Sequence, residues 1–304
     1  MAIASDLTDL IGGTPLLRLD RFCEGVGATV LAKCEFLNPY SVKDRTVLFM
    51  IREAERDGRL APGGTIVEAT SGNTGIAIAS QAAVKGYRAI LVMSELSSLE
   101  RRQMLVALGA ELVITPAAEG TKGARAKAKE IAAETGALYI CQHDNPANPL
   151  VHLETTAEEI WSETSGGIDV FVAAAGTTGT LVGISRALKP RKPELRVVGV
   201  EPAEAPFLSR GEWSPHKMNG AAPGFLPTVY EEEAIDEFEL VPTDDAMAAC
   251  RELARTEGLL VGVTSGGAAL AARRIAARPE SAGQTIVCVM ADTGERYLSM
   301  GFFG

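Results

Sequence analysis

The chain has 304 residues, of which 46% are hydrophobic and 22% charged, with a formal net charge of −10. That length admits one large or two medium domains, and the composition is that of a packed globular chain. The acidic balance argues against nucleic acid or an anionic membrane as partner, but leaves room for a local pocket that takes a small anion.

Short apolar runs and helical patterns then alternate. A run at 29–34 (TVLAKC) precedes a helical pattern at 43–57, and a run at 65–68 (TIVE) precedes one at 75–85. The same pairing recurs at 89–93 and 99–108, at 111–115 and 121–135, and at 138–141 and 149–164. It continues at 170–174 and 180–188, then with a run at 197–201, helical patterns at 243–256 and 268–278, and a last run at 285–290. Most runs are continuous rather than alternating, as strands buried on both faces read. The alternation predicts open α/β layers with mostly parallel sheets. Residues 203–239, rich in proline, glycine and acids, break the rhythm and read as a long functional or mobile loop. QHDNPANP interrupts it again, and predicts a domain change near 141–148.

No apolar run reaches the roughly 18 residues that span a bilayer. The start, MAIASDLTDLIGG, lacks a basic segment followed by an apolar one, so no signal peptide is expected. Cys23, Cys34, Cys141, Cys250 and Cys288 show no CxxC spacing and read as reduced core thiols of a cytoplasmic protein. His143, His152 and His216 show no metal-ligand spacing, so no metal is expected.

Ligands of open α/β sheets gather where strands end and loops enter helix N-termini. Three such loops stand out. TSGNTG, at 70–75, offers backbone N–H groups and hydroxyls backed by a helix dipole, a site for a carboxylate or phosphate; the alternative is an ordinary helix cap. AAGTTGT, at 174–180, follows the same logic. It lacks both GxxxxGK[ST] and GxGxxG, so a small phosphate suits it better than a nucleotide. VGVTSGGAA, at 261–269, places Ser265 either as a cap or in a site.

Lys43, in NPYSVKDRT at 38–46, is the reactive candidate. An amine is a useful nucleophile near neutral pH only when desolvation or neighbouring charge lowers its pKa. Val42 and the apolar face of Val47, Leu48, Met50 and Ile51 suggest burial at a helix start; the alternative is a surface lysine paired with Asp44 or Glu68. An imine-forming lysine with a phosphate loop and a carboxylate loop points to pyridoxal 5′-phosphate acting on an amino acid.

The chain resembles the O-acetylserine sulfhydrylase (cysteine synthase) and cystathionine β-synthase family of fold-type II pyridoxal-phosphate enzymes. The resemblance runs from IGGTPLLRL through NPYSVKDR, TSGNTG, SSLERRQMLVALGAEL, QHDNPANPLVHLETT, GTTGT, VGVEP, PHKMNG and TSGGAA to DTGERYLS. It implies two open, mostly parallel α/β/α domains with the active site between them. Residues 40–145 would form the smaller mobile domain, and 1–39 with 146–304 the larger one that binds the cofactor's phosphate. Lys43 matches the Schiff-base lysine and Asn73 the asparagine at the cofactor's 3′-oxygen. Thr70, Ser71, Gly72 and Thr74 match the substrate-carboxylate loop, which Gln142 completes, and Gly220 falls at the substrate entrance. Gly176, Thr177, Thr178, Gly179 and Thr180 match the phosphate loop. Ser265 matches the serine facing the pyridine nitrogen; a neutral partner there makes the ring a weaker electron sink and suits β-elimination and β-replacement.

The resemblance implies L-cysteine synthesis from O-acetyl-L-serine and sulfide through an α-aminoacrylate, with Lys43 as the base at Cα. It leaves open O-phosphoserine as donor, with Arg210 or Lys217 to receive it, homocysteine, thiosulfate or an amine as acceptor, or a non-catalytic partner-binding homologue. It also implies a homodimer, and a cleft that in some relatives receives the C-terminal tail of a serine acetyltransferase. Four departures bear on substrate choice. Tyr40 alone stands where the family usually has two residues before Ser-Val-Lys. Pro223 stiffens GAAPGF, at 220–225. His143 stands where phenylalanine is common, and reads as a substrate contact or a titrating group, the alternative being a satisfied polar residue at the cleft wall. Thr178 stands where many cysteine synthases have glycine.

Overall fold

Two sheets divide the strands in a computed structural model that describes residues 3–70, 72–95 and 97–303. The larger has the order β1 (Leu16–Arg18), β2 (Thr29–Lys33), β10 (Thr285–Val289), β7 (Val170–Ala174), β8 (Arg196–Pro202) and β9 (Glu237–Val241). Its pairs are parallel except for β1 against β2. The smaller has the order β5 (Glu111–Thr115), β4 (Arg88–Ser94), β3 (Thr65–Ala69) and β6 (Leu138–Tyr139), all parallel. The mostly parallel two-sheet α/β architecture is the one expected. Continuous apolar runs mark the central strands for a physical reason: Ile286, Val287 and Cys288 of β10 are all fully buried, so neither face of the strand needs polar residues.

Helices cover both sheets. Those that matter below are α1 (Lys43–Arg56), α2 (Asn73–Lys85), α3 (Leu99–Ala107), α4 (Gly120–Thr135), α5 (Ala147–Val151), α6 (Ala157–Glu163), α7 (Gly179–Leu188), α8 (Phe207–Arg210), α9 (Thr243–Thr256) and α10 (Val263–Ala276). A single π-helical turn, His152–Thr156, joins α5 to α6 within the stretch expected as one helix. The run 203–239 contains α8 and the start of β9, rather than loop alone.

Helix α1 ties the two sheets together. Its apolar face, Val47, Met50, Ile51 and Ala54, packs into the core over the smaller sheet. Its first turn is anchored instead to the larger sheet by buried charges. The Arg45 guanidinium donates to Glu35 and Glu159 at 2.7 Å each. Lys33, on β2, is fully buried and pairs with Glu159 at 2.9 Å. Thr14 donates to Glu35 at 2.6 Å. The chain entering Lys43 is thereby fixed from below.

The five cysteines carry no disulfide; four are buried and Cys141 is half-buried, as expected of reduced thiols. Among the described residues no helix is long and apolar enough to cross a membrane.

Candidate functional site

The C-terminal end of β10 is the meeting point of the loops singled out by sequence. Ala291 accepts the Val42 N–H at 2.9 Å, which seats Lys43 beside it. The Ala291 N–H in turn donates to Ser265 Oγ at 2.9 Å. Asp292 accepts from the Asn73 side-chain amide at 2.8 Å and from the Tyr297 hydroxyl at 2.7 Å. Three helices, α1, α10 and α2, thus present Lys43, Ser265 and Asn73 to one spot, as parallel strands with crossover helices do at their carboxyl ends.

Lys43 has no ion-pair or hydrogen-bond partner for its amine among the described residues. The acids that were candidates to neutralise it are committed elsewhere. Asp44 accepts the N–H groups of Tyr40 and Ser41 at 2.7 and 2.8 Å. Glu68 accepts those of Ala69 and Gln142 at 2.9 and 3.2 Å. Burial without a counter-charge pushes the Lys43 amine down to about 8. Burial also pushes Glu68 up, to about 7, even though it accepts these backbone hydrogen bonds.

The cap alternatives for the three loops do not hold. Helix α2 has Gly72 at its N-cap, α7 has Thr178 and α10 has Gly262, and none supplies a side-chain cap. Helix starts without a side-chain cap are places where an anion can be received. In the first loop Thr70 and Thr74 are buried, and Thr74 donates to Gln142 Oε1 at 2.7 Å. Thr74 of α2 and Gln142 of the segment after β6, both expected in the carboxylate grip, are thus brought together. Ser71 lies outside the described residues.

The 176–180 loop is built for close approach. A Cβ on Gly176 would stand 2.2 Å from the Gly220 carbonyl oxygen, and one on Gly179 2.0 Å from Asn148 Oδ1. Thr178 adopts φ +67, a conformation that glycine enters freely and a β-branched residue rarely does. That accounts for glycine being common at this position. Thr180 Oγ1 lies 3.1 Å from His152 Nε2, and burial holds that imidazole neutral by pushing it well below its usual pKa. Gly220 itself adopts φ +106, and Ala222 two residues on donates its N–H to Ala175 at 2.9 Å, so GAAPGF closes against the 174–180 loop.

Several contributors escaped sequence reasoning. Asn148 is fully buried, and its amide donates to the Gln142 carbonyl and to Thr177 Oγ1, at 2.9 Å each. It joins the segment after β6 to the 174–180 loop, and its Oδ1 has no partner. Arg296 donates to Asn73 Oδ1 at 2.7 Å and to the Tyr40 carbonyl. Both residues lay inside motifs quoted for the resemblance, NPANP and DTGERYLS, but their spacing carried no sign of a role. Two of the departures have defined surroundings. The Tyr40 ring packs against the smaller sheet's core. His143 stands edge-on to Phe225 with ring centroids 4.9 Å apart, and burial pushes it down to about 3, which removes it as a titrating group near neutral pH.

The residues fit pyridoxal phosphate. An unpaired amine of lowered pKa, an uncapped helix end lined by glycines that have no room for a side chain, and a buried serine with its proton still to donate suit an aldehyde, a phosphate and a ring nitrogen in turn.

Comparison with known proteins agrees with this geometry. Residues 7–292 match the family model described as pyridoxal-phosphate dependent enzyme. The chain is 46% identical to a cysteine synthase of Staphylococcus aureus, over 97% of this chain and 95% of that one. It superposes on the crystal structure of an O-ureido-L-serine synthase with a TM-score of 0.96 and 43% identity, covering 99% of this chain and 96% of that one. It superposes equally well, TM-score 0.96, on a cysteine synthase from Entamoeba histolytica, at 39% identity over 99% of this chain and 91% of that one.

Proposed function

This chain belongs to the family of pyridoxal-phosphate dependent enzymes, and from that premise we propose that it makes L-cysteine by β-replacement, from O-acetyl-L-serine and sulfide. The observation that carries the reading is the unpaired Lys43 amine, held at about 8 where the starts of α1, α2 and α10 meet at the end of β10. Cysteine synthase relatives at 46% identity over nearly the whole chain support the substrate pair.

Bound pyridoxal phosphate supplies an electron sink, taking up the pair that remains on Cα when its proton leaves. The chain supplies the rest. Thr70, Ser71, Gly72, Thr74 and Gln142 hold the substrate carboxylate, which turns the Cα proton towards Lys43. The Lys43 amine removes that proton, acetate leaves Cβ, sulfide adds there, and Lys43 returns the proton to Cα. The end of α7, with Gly176, Thr177, Thr178, Gly179 and Thr180, holds the phosphate. Asn73 orients the ring's oxygen and Ser265 meets its nitrogen without adding charge. Gly220 stands at the substrate entrance beside the phosphate loop.

Residues 40–145 act as the smaller mobile domain, and closing it over the bound substrate keeps water out between acetate loss and sulfide attack. Their support is a sheet and core of their own. The enzyme works in the cytoplasm as a homodimer, and its cleft is where a serine acetyltransferase C-terminal tail would dock. Family resemblance supports these three points.

A panel of O-acetylserine and O-phosphoserine against sulfide, thiosulfate, homocysteine and amines tests the reading by the mass of the amino acid formed. Cysteine from O-acetylserine and sulfide is expected at the highest kcat/KM. A main product other than cysteine, or a higher kcat/KM with another donor, would refute the pair while leaving the cofactor chemistry standing.

Two further outcomes are expected. A base must be neutral to act, and a lysine is neutral above its pKa. The rate of acetate release should therefore rise with pH through about 8, where the Lys43 amine titrates, instead of continuing to rise towards the ordinary lysine value; stopped-flow measurement across that range checks it. Gly176→Ala forces a methyl into the Gly220 carbonyl. Overpacking costs about 1–3 kcal/mol, so the variant should bind pyridoxal phosphate roughly tenfold or more weakly in an absorbance titration.

A further inference from the structure

Behind the loop of residues 70–75 stands a cation that no acid pairs with among the described residues. Arg101, in the first turn of α3, is only 4% exposed. From the place a Cβ on Gly72 would take, its nearest neighbours are Arg101 Cζ at 3.7 Å, Nε at 3.8 Å and Nη2 at 3.9 Å. The guanidinium also lies 4.8 Å from the centre of the Tyr297 ring. Its buried Nε has no hydrogen-bond partner. Among the described residues no acid pairs with it: the neighbouring Glu100 is turned to Ser299, accepting its N–H and hydroxyl at 3.0 and 2.7 Å. Arg45, buried to the same degree, shows the contrast, flanked as it is by Glu35 and Glu159.

A buried guanidinium left uncompensated is costly, and an anion arriving beside it removes that cost. The uncapped end of α2 faces the same loop and favours the same charge. The guanidinium stands within 4 Å of where a Gly72 Cβ would be, so a long side chain there would push it off the loop.

We propose that Arg101 is the counter-charge of the substrate's α-carboxylate, acting through the Gly72 backbone. It is a positioning residue that makes the site select amino acids with a free carboxylate. The proposal rests on the reading of residues 70–75 as the carboxylate loop, and not on the identity of donor or acceptor.

L-Alanine and L-alaninamide separate the two. They differ only in the carboxylate and carry no leaving group, so they report binding alone, read as a change in the holoenzyme's visible spectrum. The wild type should bind alanine well and the amide weakly. Arg101→Met keeps a long unbranched side chain and removes the charge; it should bind alanine on the order of tenfold to a hundredfold more weakly and leave the amide unchanged. Arg101→Lys should recover most of the loss. Acid and amide falling together, both substitutions failing alike, or a wild type that does not prefer alanine would each overturn the proposal and make Arg101 a strut between α3 and Tyr297. A holoenzyme that passes this test but makes no cysteine would refute the β-replacement reading alone.

Discussion

Replacing Lys43 by alanine is expected to lower turnover of O-acetylserine and sulfide by at least about a thousandfold. Proton transfer by a positioned group is worth about 10²–10⁴ in rate, and the same side chain is the one the cofactor attaches to. No other amine is offered to the convergence of α1, α2 and α10 by the motifs that meet there. The variant should fold normally, because the amine makes no native contact whose loss would matter. At pH 7 the native chain holds this lysine against an amine pKa lowered to about 8 by burial. A group whose folded pKa lies below its unfolded one opposes folding wherever it is protonated in the unfolded chain, here below about pH 10.5. Removing it should leave the cofactor-free protein at least as stable as the parent. The expected pair is therefore lost turnover and lost visible absorbance of the lysine-bound cofactor, with an unchanged or raised melting temperature. Retention of activity within tenfold would mean that another group acts as the base.

Such an effect could be foreseen because the reactive lysine and the anion loops are local patterns. A continuous apolar run followed by small residues and a helix is visible in a single stretch of chain, and the three loops at 70–75, 174–180 and 261–269 each had it. What escaped was set through space. Strand β9 reads EFELV, with Glu237 and Glu239 at alternate positions; it is an edge strand whose acids meet Arg278, and an acid-rich stretch looked like loop. Helix α10 begins at Val263, not 268, and its double glycine is a packing feature: a Cβ on Gly266 would stand 2.3 Å from the Ala246 carbonyl of α9. Strand β6 stops at Tyr139 and Cys141 turns with φ +53, which no periodicity announces. Asn148, Asp292 and Arg101 act by linking elements distant in sequence, and their neighbours alone say nothing of it.

Arg45→Met should cost about 3–5 kcal/mol of stability, the usual penalty for removing one partner of a buried ion pair. The guanidinium sits between Glu35, which is fully buried, and Glu159, and reaches Thr14 as well. Methionine fills the space but leaves Glu35 with only neutral donors. The pH dependence follows from Glu159. Burial raises its pKa, yet the hydrogen bonds and charge of Arg45 and the hydrogen bond of Lys33 outweigh that and hold it at about 2. Because this lies below the unfolded value, the group stabilises the fold above about pH 4.5, and that support is lost as pH falls from there towards 2. The variant should forfeit much of that support and so unfold at milder acidity than the parent, as urea midpoints across pH would record. Adding Glu35→Gln should restore part of the loss, since the stranded charge goes with it. Turnover should fall too, because the same network fixes the first turn of α1 and thus the Lys43 amine. A loss below about 1 kcal/mol, with no shift in the acid limb, would show that α1 is held by its apolar face alone.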